Sequence, residues 1–145
     1  MHLLDRHLNA LIDEPYRQRG KQYVVQGLVE LISITESSVS AKCVGTRVYV
    51  IHQKLSGEKL SGTCTCPAFA DFGPCKHMAG VGYAVIAKRQ TKYVPSENYA
   101  ARLKESERFD RFLMKKSKVE LILIIKHAAY DDQYLLSLLD DELEG

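Results

Sequence analysis

Residues 64–77 read CTCPAFADFGPCKH, and they hold three of the chain's four cysteines and one of its five histidines. The pattern is Cys-x-Cys, eight residues, then Cys-x-His, which brings together Cys64, Cys66, Cys75 and His77. Three thiolates and one imidazole are a complete donor set for a tetrahedral zinc ion. The stretch therefore predicts a closed structural site for one Zn²⁺, and the rest of the chain is expected to support or use it.

A redox pair and a catalytic metal centre are the other sites that such a stretch could form. A disulfide between Cys64 and Cys66 would close a very tight, strained ring. A catalytic zinc needs an open coordination position, which four protein donors do not leave. The sequence also has no Gly-rich phosphate-binding loop. It therefore favours a structural zinc and predicts that the chain is not an enzyme.

Cys43 and His52 are further candidate ligands. Cys43 alternates with Val39 and Ala41, as in a half-buried strand, so a buried small side chain is its favoured role. His52 follows an apolar run and is expected at the surface or in a hydrogen bond. It remains the reserve ligand.

The residues before the zinc stretch predict a short helix and an antiparallel meander. The helix is expected over 1–14, ended by Pro15, with residues 16–21 as a basic, flexible connection. Strands are expected at 22–32 with a bend at Gly27, at 38–43, at 47–52 and at 59–64. The third strand is apolar on both faces and is expected to be central.

A helix is predicted directly after the zinc stretch, over residues 76–89. Side chains at i and i+2 of a helix point about 200° apart. Cys75 should therefore lie in the turn before the helix, with His77 in its first turn. Gly80 and Gly82 would allow a close approach to the sheet.

The last third of the chain is expected to be helical. Residues 98–116 form one helix or two, and a capping box of Ser117 and Glu120 begins a helix over 118–130. That helix is apolar nearly all round and is predicted to be buried, with a last helix around Leu135 and an acidic end at 140–145. The sequence thus predicts an α+β fold with an N-terminal helix (1–15), a meander with the zinc stretch (16–94) and a C-terminal helical segment (95–145).

The charge is unevenly distributed along the chain. The net charge is only +2, but residues 15–118 carry 18 Lys and Arg against 8 Asp and Glu, a net +10, whereas residues 119–145 carry a net −6. This pattern fits a polyanion partner or, equally, a well-solvated surface. The candidate phosphate-contacting cations are Arg17, Arg19, Lys21, Lys76, Lys88, Arg89 and Lys92. Phe69, Phe72 and Tyr83 would either stack on bases or pack around the zinc stretch, and packing is favoured.

The Cys-x-Cys-x8-Cys-x-His pattern resembles the SWIM zinc finger, as do Pro67, the block Pro74-Cys75-Lys76-His77 and the apolar helix that follows. Residues 19–23 and 44–50 are similar to the strands before the finger in stand-alone prokaryotic members. The resemblance implies a zinc-bound β-β-α unit that binds DNA or proteins and accompanies chromatin-remodelling ATPases and transposases. It does not imply catalysis, so any such activity would lie on a partner.

Two functions follow as expectations. The first is nucleic-acid binding, with DNA as the partner, through basic surface around the finger. The second is a protein-interaction adaptor that uses the C-terminal helices, with an ATPase or another nucleic-acid enzyme as partner. The sequence has neither an apolar run of about 18 residues nor a signal-peptide plan at its start. It therefore predicts a cytoplasmic protein without a membrane or a small-molecule substrate.

Overall fold

The computed structural model describes residues 1–90 and 93–132, and over these residues the chain has an α+β fold. The helices are α1 (Asp5–Leu11), α2 (Glu14–Val25), α3 (Pro67–Phe72), α4 (Lys76–Gln90), α5 (Glu97–Met114) and α6 (Lys118–Asp131). The strands are β1 (Val29–Ile34), β2 (Ser38–Val44), β3 (Val48–Ser56) and β4 (Lys59–Cys64). The chain divides into two compact units, Met1–Ser106 and Glu107–Gly145.

The described strands form one antiparallel sheet in the order β1-β2-β3-β4, which confirms the predicted meander and the central position of its third strand. Ile51 of β3 lies opposite Ala41 on one side and Cys64 on the other, and its side chain is fully buried. Because residues directly opposite each other on neighbouring strands point to the same face of a sheet, Cys64 shares the buried face with Ile51. The register therefore places the first predicted zinc ligand at the edge of the core.

The core of the first unit lies between the sheet and α4. Met78, Val81 and Val85 are buried on α4. The buried amide of Gln53 on β3 donates a hydrogen bond of 2.8 Å to the backbone carbonyl of Met78. This bond fixes the first turn of α4 to the central strand, next to the predicted ligands.

The N-terminal part of the first unit differs from the prediction. Residues 14–25 form the helix α2, so the expected flexible connection at 16–21 and the strand beginning at residue 22 were wrong. Pro15 lies in the first turn of α2. A backbone N–H at that position has no partner within the helix, so the N–H that proline lacks costs no hydrogen bond. Gly27 has a φ of +67° and follows the end of this helix instead of bending a strand. The β-branched pattern at 23–25 was therefore overridden by helix packing.

Glycines allow α1, α2 and α4 to pack closely. A Cβ atom on Gly20 of α2 would lie 2.5 Å from the Cβ of Ala79. One on Gly82 would lie 2.3 Å from Leu8 of α1. The close approach predicted between the α4 glycines and the sheet is therefore mainly an approach to the two N-terminal helices.

The C-terminal helices agree with the prediction in position but not in burial. Residues 97–114 form one continuous helix, and the capping box of Ser117 and Glu120 begins α6 as predicted. The predicted burial of α6 was wrong, since Val119 is 66% exposed and Leu123 is 60% exposed. The predicted helix around Leu135 and the acidic end lie outside the described residues. Among the described helices, none combines the length and apolar character needed to cross a membrane.

Candidate metal centre

The four predicted ligands come from four successive places in the chain. Cys64 is the last residue of β4, and Cys66 is the N-cap of α3. Cys75 lies directly before α4, and His77 is the second residue of that helix. This confirms the predicted positions of Cys75 and His77. The strand end, the short helix and the helix start thus bring their side chains to one point.

The geometry of the four side chains fits a zinc ion. One donor atom from each of Cys64, Cys66, Cys75 and His77 can be chosen so that all lie within 4.8 Å of one another. The Nδ1 atom of His77 is 3.8 Å from the Sγ atoms of Cys64 and Cys75. Zinc bonds of about 2.0–2.3 Å at tetrahedral angles place donor atoms roughly 3.6–3.8 Å apart. All four residues are buried, as a closed structural site requires.

Backbone amides and a shared proton favour negative charge in this cluster. The N–H of Phe69 donates to the Sγ of Cys66, at 3.3 Å, and the backbone of Met78 hydrogen-bonds to Cys75. A hydrogen bond from Cys64, with help from His77, lowers the pKa of Cys75 to about 4. The same bond to Cys75, together with burial, raises the pKa of Cys64. Ionisation of Cys75 is thus favoured over that of Cys64, and a divalent cation would favour the loss of the remaining thiol protons.

The sequence interpretation missed the short helix α3. Its N-cap is Cys66, whose sulfur accepts the Phe69 amide, and Pro67 is in its first turn. Proline at the first helical position is a helix-start signal that was available in the sequence, although cysteine is not a typical N-cap residue. Through this helix, Cys66 is oriented by its own hydrogen bond as well as by the strand before it.

The imidazole of His77 is enclosed by two tyrosines that the sequence interpretation did not connect with the site. The ring of Tyr49 lies 4.6 Å from the His77 ring, centroid to centroid. The hydroxyl of Tyr23, on α2, lies 3.2 Å from Nε2 of His77. Burial raises the pKa of Tyr23 to about 12, so this hydroxyl is neutral at pH 7. Tyr23 precedes His77 by 54 residues, and no spacing pattern would have associated them.

Residues 49–85 match the SWIM zinc finger family. We call this stretch the SWIM finger. It begins in β3 and includes β4, α3 and the first ten residues of α4, so it contains all four ligands and the predicted β-β-α unit. No curated protein and no solved structure shows significant similarity to the chain. The family match and the donor geometry agree on one structural zinc.

The two further candidate ligands, Cys43 before the SWIM finger and His52 within it, do not join the donor cluster. Cys43 is fully buried, as predicted, and its Sγ is 3.8 Å from the backbone carbonyl of His77. His52 is exposed, and its Nδ1 is 2.9 Å from the hydroxyl of Ser40. Cys43 is therefore a packing residue behind His77, and His52 belongs to the solvent face of the sheet.

The predicted phosphate-contacting cations lie on α2 and α4, with two of them engaged by neighbours. Arg17 forms an ion pair with Glu14, and Arg89 donates a 2.9 Å hydrogen bond to the carbonyl of Leu3. Arg19, Lys21 and Lys88 are exposed, whereas Lys76 is half-buried. Lys92 lies outside the described residues.

α2 and α4 lie side by side and run antiparallel. Tyr23 of α2 contacts His77 of α4. Gly20, three residues before Tyr23, lies against Ala79, two residues after His77, so the two helices run in opposite directions. The ammonium group of Lys76 lies 5.6 Å from the ring centroid of Tyr23, and that of Lys21 lies 5.2 Å from Tyr83. Each lysine therefore extends from one helix over a tyrosine of the other, across the seam between α2 and α4.

The aromatic candidates divide between packing and exposure. Phe69 packs against the core, and Tyr83 is half-buried beneath Lys21. Phe72, at the end of α3, is 75% exposed. Packing thus accounts for Phe69, while Phe72, within the SWIM finger, presents its ring to solvent.

Proposed function

We propose that the chain is a zinc-dependent nucleic-acid-binding module that holds the phosphate backbone of DNA along the seam between α2 and α4. The observation that carries this proposal is the placement of Lys21 and Lys76 across that seam, each over a tyrosine ring of the opposite helix. The rings hold the side chains near the surface and leave the ammonium groups able to contact phosphates. The zinc ion would act at a distance, by fixing the start of α4.

The overall charge supports the same surface. Residues 1–106 carry 14 Lys and Arg against 9 Asp and Glu, a net +5, whereas residues 107–145 carry 6 against 9, a net −3. A basic unit attracts a polyanion without reading its sequence. Exposed Phe72 adds a ring on which an unpaired base could stack. The proposal therefore predicts affinity that depends on salt and little on sequence.

The test compares two triple variants that lose equal charge. Arg19, Lys21 and Lys88 are changed to alanine in one protein, which spares Lys76 between two zinc ligands. Lys42, Lys54 and Lys59 are changed in the control. Lys54 follows inward-facing Gln53 on β3, so it points away from α4. Binding to a fluorescent DNA duplex is measured by anisotropy at salt concentrations from about 25 to 200 mM. Screening of phosphate contacts increases strongly over this range.

The helix variant is expected to bind more weakly and to lose up to about 0.9 from the log-log salt slope for each phosphate contact removed. The sheet variant should keep the slope of the unmodified protein. Equal losses of DNA affinity in both variants would show that the effect comes from net charge and not from the helix surface. Absence of DNA binding at low salt would reject the proposal. Zinc content is measured in every variant, so that a damaged SWIM finger is not mistaken for a lost contact.

A protein-interaction adaptor is the second candidate, and the exposed apolar side chains of α6 favour it. Ile122, Leu123 and Ile125 are each at least 46% exposed. Apolar surface of this kind on one helix is typical of an interaction site. On this reading the helix docks a protein partner, such as an ATPase or another nucleic-acid enzyme, and the SWIM finger is the stable support.

The adaptor function is tested by changing Val119 and Leu123 to lysine. The tagged protein and this variant are used to capture partners from nuclease-treated native lysate, with Lys118→Ala and Lys126→Ala as controls on the same helix. A partner retained by the unmodified and control proteins, and lost from the apolar variant, would support the adaptor. Capture that disappears with nuclease alone would favour the nucleic-acid function instead.

A further inference from the structure

The hydroxyl of Tyr23 lies outside the SWIM finger in sequence but directly behind one of its ligands. Tyr23 is on α2, and its Oη is 3.2 Å from Nε2 of His77. The two rings meet edge to face, with centroids 5.1 Å apart and planes at 86°. His77 is 3% exposed, so its outer nitrogen has little access to water. The chain thus supplies a hydrogen-bond partner where solvent cannot.

The tautomer of His77 follows from this arrangement. Nδ1 is the nitrogen that faces the sulfurs of Cys64 and Cys75, so Nδ1 is the atom that would bind zinc. The ring proton must then be on Nε2, which can donate it to Tyr23 Oη. Histidine ligands of metals commonly make such a bond, and it fixes both the ring orientation and the protonation state.

The backbone next to this contact leaves room for the hydroxyl. A Cβ atom on Gly45 would lie 2.9 Å from Tyr23 Oη and 3.6 Å from Nε2 of His77. The other face of the imidazole is covered by Tyr49, whose hydroxyl is 2.8 Å from the Thr46 hydroxyl and so is engaged elsewhere. Of the two tyrosines, Tyr23 is therefore the one whose hydroxyl contacts the imidazole of His77.

We propose that Tyr23 is a positioning residue for the zinc site, which accepts the Nε2 proton of His77 and holds its Nδ1 toward the metal. The functional metal centre then begins at α2 and not at β3, where the SWIM match begins. This inference concerns the metal site alone and is independent of the proposed nucleic-acid binding.

The test removes only the hydroxyl, in Tyr23→Phe, within the full chain. The zinc dissociation constant, measured by competition with a chromophoric chelator, is expected to rise about 10–100-fold. Tyr49→Phe is the matched control, because it deletes a hydroxyl from the other tyrosine that contacts His77. It should leave zinc affinity close to that of the unmodified protein.

A double-variant cycle separates positioning from a general loss of stability. In a His77→Cys background the site keeps four donors but has no Nε2 proton, so Tyr23→Phe should no longer change zinc affinity. Nitrogen-15 NMR of the zinc-loaded protein gives a second readout. The His77 Nε2 proton should exchange slowly with water in the unmodified protein and in Tyr49→Phe, but faster in Tyr23→Phe. An equal loss of affinity in both backgrounds, or no loss in Tyr23→Phe, would overturn the proposal.

Discussion

At the scale of single residues, four buried thiols occupy similar surroundings but have different roles. Cys43 is as deeply buried as the ligands, yet its sulfur points at the carbonyl of His77 and not at the donor cluster. The alternation of Cys43 with Val39 and Ala41 predicted its burial, whereas the spacing of the other three cysteines relative to His77 predicted their role as ligands. Position in the chain, and not residue type, decides which thiol can bind the metal.

Alanine substitutions at two of the cysteines should therefore have different effects on the zinc content of the protein. Cys75→Ala removes a donor and leaves three, so the purified protein is expected to contain well under one equivalent of zinc. Cys43→Ala creates only a small cavity and should retain a full equivalent. Elemental analysis at matched protein concentration measures both. A full equivalent in Cys75→Ala would reject the assignment of this ligand.

Glu58 links the β3–β4 turn to α1 through a charge-assisted contact. Its carboxylate accepts two hydrogen bonds from Arg6, at 2.8 and 3.0 Å, and lies 3.0 Å from Nε2 of buried His7. Hydrogen bonding to Arg6, and then to His7, lowers the pKa of Glu58 to about 2. The ionised form is thus favoured in the folded protein more than in the unfolded chain.

The pH dependence of stability follows from that lowered pKa. Glu58→Gln should lower the free energy of unfolding at pH 7, and the difference from the unmodified protein should stay constant down to about pH 5. It should then shrink as the pH falls from the unfolded value, near 4.5, toward about 2. Urea unfolding at each pH measures this difference in the free energy of unfolding. Effects that are common to both proteins, such as thiolate protonation, cancel in the difference. Glu36→Gln in the β1–β2 turn is the control, and a difference that is as large at pH 3 as at pH 7 would contradict the assignment.

At the scale of elements, α2 shows what the sequence pattern could not provide. Val24 and Val25 favour strand by propensity, but packing on α4 through Gly20 outweighs a preference of less than about 1 kcal/mol. By contrast, β4, the start of α4 and the capping box of α6 carry local signals and were predicted closely. Burial of α6 could not be predicted from its composition, because an apolar helix requires a covering surface that composition does not identify.

The crossing of α2 and α4 is predicted to be intolerant of even one methyl group. Helix propensity favours Ala over Gly by about 1 kcal/mol. However, the Cβ of Gly20→Ala would lie 2.5 Å from the Ala79 Cβ and 2.7 Å from the backbone nitrogen of Gly80. Relief of this overlap requires the helices to separate, which typically costs about 1–3 kcal/mol. The variant should therefore be less stable in urea unfolding.

Two comparisons make the Gly20 prediction specific. Gln18→Ala, at an exposed position of the same helix, should have a small effect. Ala79→Gly should recover part of the loss in Gly20→Ala, since it removes the Cβ contact but not the contact with the Gly80 backbone. A Gly20→Ala protein more stable than the unmodified chain would mean that propensity outweighs packing at this crossing.

At the scale of the whole molecule, the metal site and the apolar core are neighbours with separate sources of stability. α4 packs against every strand of the sheet and against α1 and α2, so its start is fixed by zinc while its length is fixed by burial. Zinc binding contributes on the order of 10 kcal/mol in isolated finger peptides, where no other core exists. Here, Leu3, Leu8 and Ile51 belong to a larger buried cluster that adds apolar burial to whatever the metal contributes.

Removal of zinc should therefore loosen one region and leave the rest folded. After chelation, amide hydrogen exchange is expected to accelerate across the SWIM finger from residue 64 to about residue 80, and around Tyr23, whose partner His77 is released. Amides of the β1–β2 hairpin, such as those of Val39 and Ala41, should keep most of their protection because their ladder and apolar contacts remain. The chelator added to Cys75→Ala is the control and should cause little further change. Loss of protection throughout Met1–Ser106 would show instead that the core cannot persist without the metal.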